Sequence, residues 1–139
     1  MMKIEKFEDT VSWQKARVLN NAIHQQSKAG ALARDTDLRA QFRRAATCIM
    51  ANIAERFERG GGRESLQFLA IAKGSCGEVR ALLSIALDQG YILEPDFQAL
   101  RLMTIDISRL LSGFMAYLGA SPLRGHKYKP QPSPSDARP

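Results

Sequence analysis

QFRRAATCIMANIAERFER, residues 41–59, runs for nineteen residues without a glycine or proline, and its reading decides the fold. Leu38, just upstream, then Phe42, Ile49, Ile53 and Phe57 recur at spacings of three to four or their multiples, which predicts one buried stripe along a helix. Gln41, Arg44, Cys48, Asn52 and Glu55 follow the same period on an adjacent stripe, so hydrogen-bonding side chains lie in a row beside the core face. A plain solvated helix has little use for such a row. Arg44 and Glu55 stand about three turns apart, so any pairing between them runs through other helices.

Outward from this stretch the chain divides into four predicted helices. The first runs from Asp9 or Thr10, either of which serves as an N-cap, to Lys28, with Trp13, Ala16, Leu19 or Asn20, and Ile23 on one face and Gly30 as the stop. The segment ALARDTD reads as a connection in which Asp35, Thr36 and Asp37 offer alternative caps. The second helix covers about Leu38 to Glu58, and Gly60, Gly61 and Gly62 end it. A third opens near Ser65 and reaches Gln89, with Gly90 past its end. Pro95 marks the first turn of a fourth, in which Leu100, Met103, Ile107, Leu110 or Leu111, Phe114 and Leu118 continue the apolar period. Short connections make sequential neighbours antiparallel, and the economical fold is an all-α, up-down-up-down antiparallel four-helix bundle.

Composition agrees with one helical domain. Aromatics are only 7% of 139 residues and no alternating apolar and polar run is flanked by turn signals, so strands are not expected. No apolar stretch approaches the roughly 20 residues that span a bilayer, and the N-terminus MMKIEKFEDT lacks an apolar region; a soluble cytoplasmic protein with no membrane contact is expected. Cys48 and Cys76 sit inside predicted helices among small or apolar neighbours and read as buried free thiols. The bundle is assigned to residues 1–119 and a proline-rich basic tail, reading as disordered, to residues 120–139. From Ser121 onward Arg124, Lys127, Lys129 and Arg138 oppose only Asp136, so half of the net charge of +6 belongs to the tail.

The third helix carries Gly74 and Gly77 in its interior, where each costs about 1 kcal/mol against alanine. With Ala70, Ser75 and Ala81 they make a thin surface, and the second helix supplies Ala45, Ala46, Ala51 and Ala54, so tight contact between these two helices is the structural expectation. Room for a ligand backbone is the functional alternative.

QFRRAATCIMANIAERFER together with FLAIAKGSCGE, residues 68–78, resembles the family of four-helix bundles named for proteins encoded in 23S rRNA intervening sequences, and the resemblance covers nearly all of residues 4–119. Trp13 and Ala16 match the family's spaced pair in the first helix. Gln41, Arg43, Arg44, Ala45, Ala46, Ile49, Asn52, Ile53, Ala54 and Glu55 match its second-helix core. Phe68, Leu69, Ile71, Ala72, Gly74, Ser75 and Glu78 match its third. The chain departs at Cys48, where serine is usual, at Met50, where proline is usual, and at Arg56, where glycine is usual. Loss of the proline restores a backbone donor and straightens the helix. The resemblance implies a non-enzymatic homo-oligomer, with a pentameric ring as the best-known arrangement. A related accessory variability determinant of diversity-generating retroelements looks like the same fold and is associated with nucleic acid and a reverse transcriptase.

Arg39, Arg43, Arg44, Arg56, Arg59 and Arg63 concentrate guanidinium groups around the second helix and the glycine turn, with Glu55, Glu58 and Glu64 between them. In a ring such a helix repeats its basic stripe, which suits weak, multivalent contact with phosphates of RNA or another nucleic acid. A solvated face with local Arg–Glu pairs is the plainer alternative. Gln41, Asn52, Glu55 and Glu78 form a candidate polar network or subunit interface, the reading of a protein-interaction scaffold that binds no nucleic acid. The tail segment GHKYKPQP combines Lys127, Tyr128 and Lys129, which suits single-stranded nucleic acid or merely solubilises. Other chemistry lacks its parts. His24 and His126 are isolated, no histidine neighbours a cysteine in sequence, and GGGRES lacks the lysine and hydroxyl of a phosphate-binding loop. No catalytic residue, metal or cofactor is assigned.

Overall fold

The computed structural model describes residues 6–59 and 63–120, without the side chains of Arg63 and Ala120. After a 3-10 turn, Phe7–Asp9, come α1 (Val11–Gln26), a short α2 (Gly30–Arg34), α3 (Thr36–Arg59), α4 (Arg63–Asp88) and α5 (Glu94–Ala120). No strand occurs among the described residues. The four long helices form a helical bundle. In it α3 packs against α1 and α4, and α5 packs against the same two, so α1 and α4 occupy opposite corners.

Local chemistry sets the ends of these helices. Thr10 caps α1: its hydroxyl donates to the Phe7 carbonyl at 2.7 Å and accepts from the Trp13 N–H at 3.3 Å. Of the three caps offered for α3, Asp35 takes the role, its Oδ1 accepting from the Leu38 N–H at 3.1 Å while Oδ2 accepts from the Tyr91 hydroxyl at 3.0 Å. That bond, ahead of desolvation and the Asp35 charge, pushes the Tyr91 phenol above its ordinary range. At the far end of α4, Gly90 has φ +75, the Gly90 N–H donates to Leu87 O and the Tyr91 N–H to Ala86 O. This pair of bonds closes a helix through a left-handed residue, a role suited to glycine.

One expected stop is corrected. Gly30 does not terminate α1, which ends at Gln26, with Ser27 turning its buried hydroxyl back to the Ile23 carbonyl at 2.8 Å. Gly30 instead takes φ +80 as the first residue of α2, and the expected connection ALARDTD contains this helix. Leu32 anchors it in the core. Five residues are too few for a periodic pattern to declare themselves helical.

The core follows the predicted stripe. Leu38, Phe42, Ile49 and Ile53 of α3 are buried along with Ala45 and Ala46, and Phe57 packs against their edge. Burial of Phe42 or Ile53 contributes about 1.5–3 kcal/mol each over exposure. α1 adds Ala16, Leu19 and Ile23, and α5 adds Leu100, Ile107 and Leu111, with Leu110 turned outward. α3 runs unbroken through Met50, as a residue with its own N–H allows.

The glycines of α4 do not thin the contact with α3. The buried face of α4 is Leu69, Ala72, Cys76, Val79 and Leu83, and the helical period puts Ala70, Gly74 and Ala81 on the opposite, exposed face. A Cβ built on Gly74 would meet nothing within 4 Å, and one on Gly77 would meet only the Arg80 guanidinium at 3.8 Å. On the α3 side Ala45 and Ala46 enter the core, whereas Ala51 is exposed. Both cysteines are free; Cys76 is buried as expected, and Cys48 is only half-buried. The glycine turn and the proline-rich tail lie outside the described residues.

Candidate nucleic-acid interface

Of six arginines that look equivalent in sequence, the five with described side chains have unequal surroundings in the bundle. Arg39 and Arg43 lie one turn apart on the side of α3 that faces α1 and α2, and both are half-buried. The Arg39 guanidinium donates to the Ala33 carbonyl at 3.0 Å. Arg43 donates from Nε to Ser27 Oγ at 2.9 Å and from Nη2 to the Ser27 carbonyl at 3.3 Å. A cation at the C-terminal turn of α1 satisfies a carbonyl that the helix leaves over. These two side chains fasten the bundle.

Arg44 is exposed and makes no side-chain bond among the described residues. Arg59 is exposed too, with Nε donating to Glu55 Oε1 at 3.0 Å and its guanidinium 5.4 Å from the centre of the Phe68 ring on α4. An exposed pair of this kind contributes under about 1 kcal/mol and yields readily to a phosphate. Arg63 begins α4, but its side chain lies outside the described residues.

Arg56 differs from all of these. Its guanidinium carbon sits 4.4 Å from the ring centre of Phe57 and 4.8 Å from that of Phe114 on α5, and the two rings are 6.1 Å apart. Its buried Nε has no hydrogen-bond partner, and desolvation lowers its pKa from the usual guanidinium value. Ring faces carry negative potential, so the charge is held by quadrupoles instead of carboxylates. Sequence reading missed this clamp because Phe114 reads as an ordinary core residue of a distant helix.

The polar row stays within α3. Asn52 Nδ2 donates to the Cys48 carbonyl at 2.9 Å and contacts Cys48 Sγ at 3.1 Å, while Glu55 is taken by Arg59. Gln41 is half-buried and Glu78 exposed, and neither bonds to the others. The four residues make no network inside one chain. No group of three His, Cys, Asp or Glu side chains among the described residues could hold a metal ion. No helix among them is long and apolar enough to cross a membrane.

The sequence model of the 23S rRNA-intervening sequence proteins matches residues 8–113, from the turn before α1 into the last third of α5. The chain belongs to this family. Arg56 lies within the matched residues, held there by the Phe57 and Phe114 rings. A solved structure from Bacteroides thetaiotaomicron, a protein with unknown function from the S23 ribosomal protein family, is similar with a TM-score of 0.59 and 21% identity, covering 76% of this chain and 98% of that one. At that identity the likeness concerns the fold. No curated protein matches the chain.

Proposed function

We propose that this family member is a cytoplasmic, non-enzymatic homo-oligomer, a pentameric ring of up-down-up-down antiparallel bundles, which binds RNA or another nucleic acid weakly through arginines of α3. The observation that supports this reading is the unequal use of the five arginines whose side chains are described. Arg39 and Arg43 are consumed by carbonyls and Ser27, while Arg44 and Arg59 remain exposed on the same helix and Arg56 is held beside two rings. Phosphates bind such groups electrostatically and without sequence information, and a ring multiplies a weak site by repeating it.

A second reading is a protein-interaction scaffold without nucleic-acid binding, favoured by the exposed apolar side chains Val11, Leu102 and Tyr117. Fluorescence anisotropy of labelled single-stranded RNA against salt concentration separates the two. Nucleic-acid binding gives an affinity that falls linearly in log–log form, and Arg44→Ala with Arg59→Ala reduces the slope by about 1.4, or about 0.7 per phosphate lost, with the oligomer intact. An affinity indifferent to salt and to both substitutions refutes the binding role and leaves the scaffold.

A further inference from the structure

Two apolar faces of the bundle have no covering among the described residues. On the outer side of α4, Ile71 and Ile85 are 44% and 45% exposed, about 21 Å apart along the helix at 1.5 Å per residue. Gly74 and Ala81 lie between them, with Ala70 just before Ile71, and Glu78 stands midway without an ion-pair partner among the described residues. Gly74 costs about 1 kcal/mol in a helix interior, and no described residue comes within 4 Å of where its Cβ would stand to offset it.

The second face is the seam between α1 and α5. Val11 and Val18 on α1 and Leu102 and Leu110 on α5 are all exposed, and a cavity of about 240 Å³ opens among Lys15, Val18, Met103 and Asp106. Lys15 bridges the seam to Asp106 Oδ2 at 3.1 Å. An ammonium carries three donors, so Lys15 retains two for another carboxylate.

We propose that the α4 face of one copy of this chain seats in the α1–α5 seam of a second copy. Shape and charge choose this occupant. A helix surface of glycine and alanine comes close to its partner, and the seam between two helices is the hollow that receives such a ridge. Glu78, at the middle of the ridge, meets Lys15, at the middle of the seam. The two faces differ in form and lie on different elements of the bundle, α4 alone and the α1–α5 side, so the contact is head-to-tail and covers both faces on every copy of a closed ring. A twofold contact would cover one face and leave the other in water. This rests on the self-association in the proposed function and adds which surfaces meet; it does not depend on nucleic acid.

The test is complementation between two surface variants, Ile85→Arg on the ridge and Val18→Arg in the seam, followed by light scattering after gel filtration, with circular dichroism confirming that both fold. Wild type assembles, each variant alone is a monomer, and an equimolar mixture gives a 1:1 dimer that grows no further, because one variant keeps an intact seam and the other an intact ridge. The proposal is overturned by assembly of either variant alone, since that places the contact on a twofold face or elsewhere. It is also overturned if two monomeric variants fail to combine. Wild type that stays monomeric at every concentration refutes self-association itself, an outcome distinct from wrong faces on a real oligomer.

Discussion

Replacement of Gly74 by alanine gives a prediction whose sign depends on where α4 points its glycines. Alanine is preferred to glycine inside a helix by about 0.8–1.0 kcal/mol, because glycine loses more backbone freedom on folding. The new Cβ meets nothing within 4 Å, so no steric penalty is subtracted. Unfolding entropy of about 2.1 cal/mol/K per residue over the roughly 110 described residues amounts to about 0.23 kcal/mol/K, and a gain of about 0.9 kcal/mol therefore raises the melting midpoint by about 4 °C. Gly77→Ala is the internal reference, since its Cβ reaches only ordinary contact with the Arg80 guanidinium at 3.8 Å and earns a similar increment. Melting is followed by circular dichroism at a dilution where gel filtration shows monomer. A fall in the Gly74→Ala midpoint there refutes the reasoning, because it means that a neighbouring helix of the same chain occupies the space. At assembling concentrations the two variants part: Gly74→Ala holds the second copy away and weakens association, while Gly77→Ala leaves it unchanged.

Arg43→Ala removes two bonds from a charged donor to Ser27 and lowers stability by about 1–2 kcal/mol in urea titration, whereas Arg44→Ala, one residue on and exposed, stays within about 0.5 kcal/mol of wild type. Equal effects from the two would contradict the division between fastening and free arginines. Burial pushes the Cys76 thiol up to about 11 from 9.0, with the Arg80 and Lys73 charges pulling the other way. Because the folded value is the higher one, this contribution to stability is complete below pH 9 and is lost as pH rises through 11, so the stability difference between wild type and Cys76→Ala shrinks across that window. Under native conditions near pH 8 an aromatic disulfide reagent labels half-buried Cys48 alone, and rapid labelling of both thiols would show that Cys76 is not in the core.

The helical period of α3 was legible because it is a local property repeated over many turns, whereas the period of α5 admitted either Leu110 or Leu111 and packing chose Leu111 for the core. Most cap positions, Gly30 apart, were legible to within two residues for a related reason: Thr10, Asp35 and Gly90 act on backbone groups within four residues of themselves. What failed was inference across helices. Gly74 and Gly77 signal a close approach by something, but composition does not give the angular position of the approaching partner, and the period places Gly74 away from α3. The arginines make the same point about function. Their shared charge and their helix are visible in the sequence, yet Ser27 claims Arg43 from another helix and Phe114 claims Arg56 from a third. A basic stripe is therefore an upper bound on a phosphate site, and tertiary contacts reduce it to the guanidinium groups still facing water, here Arg44 and Arg59 among the described side chains.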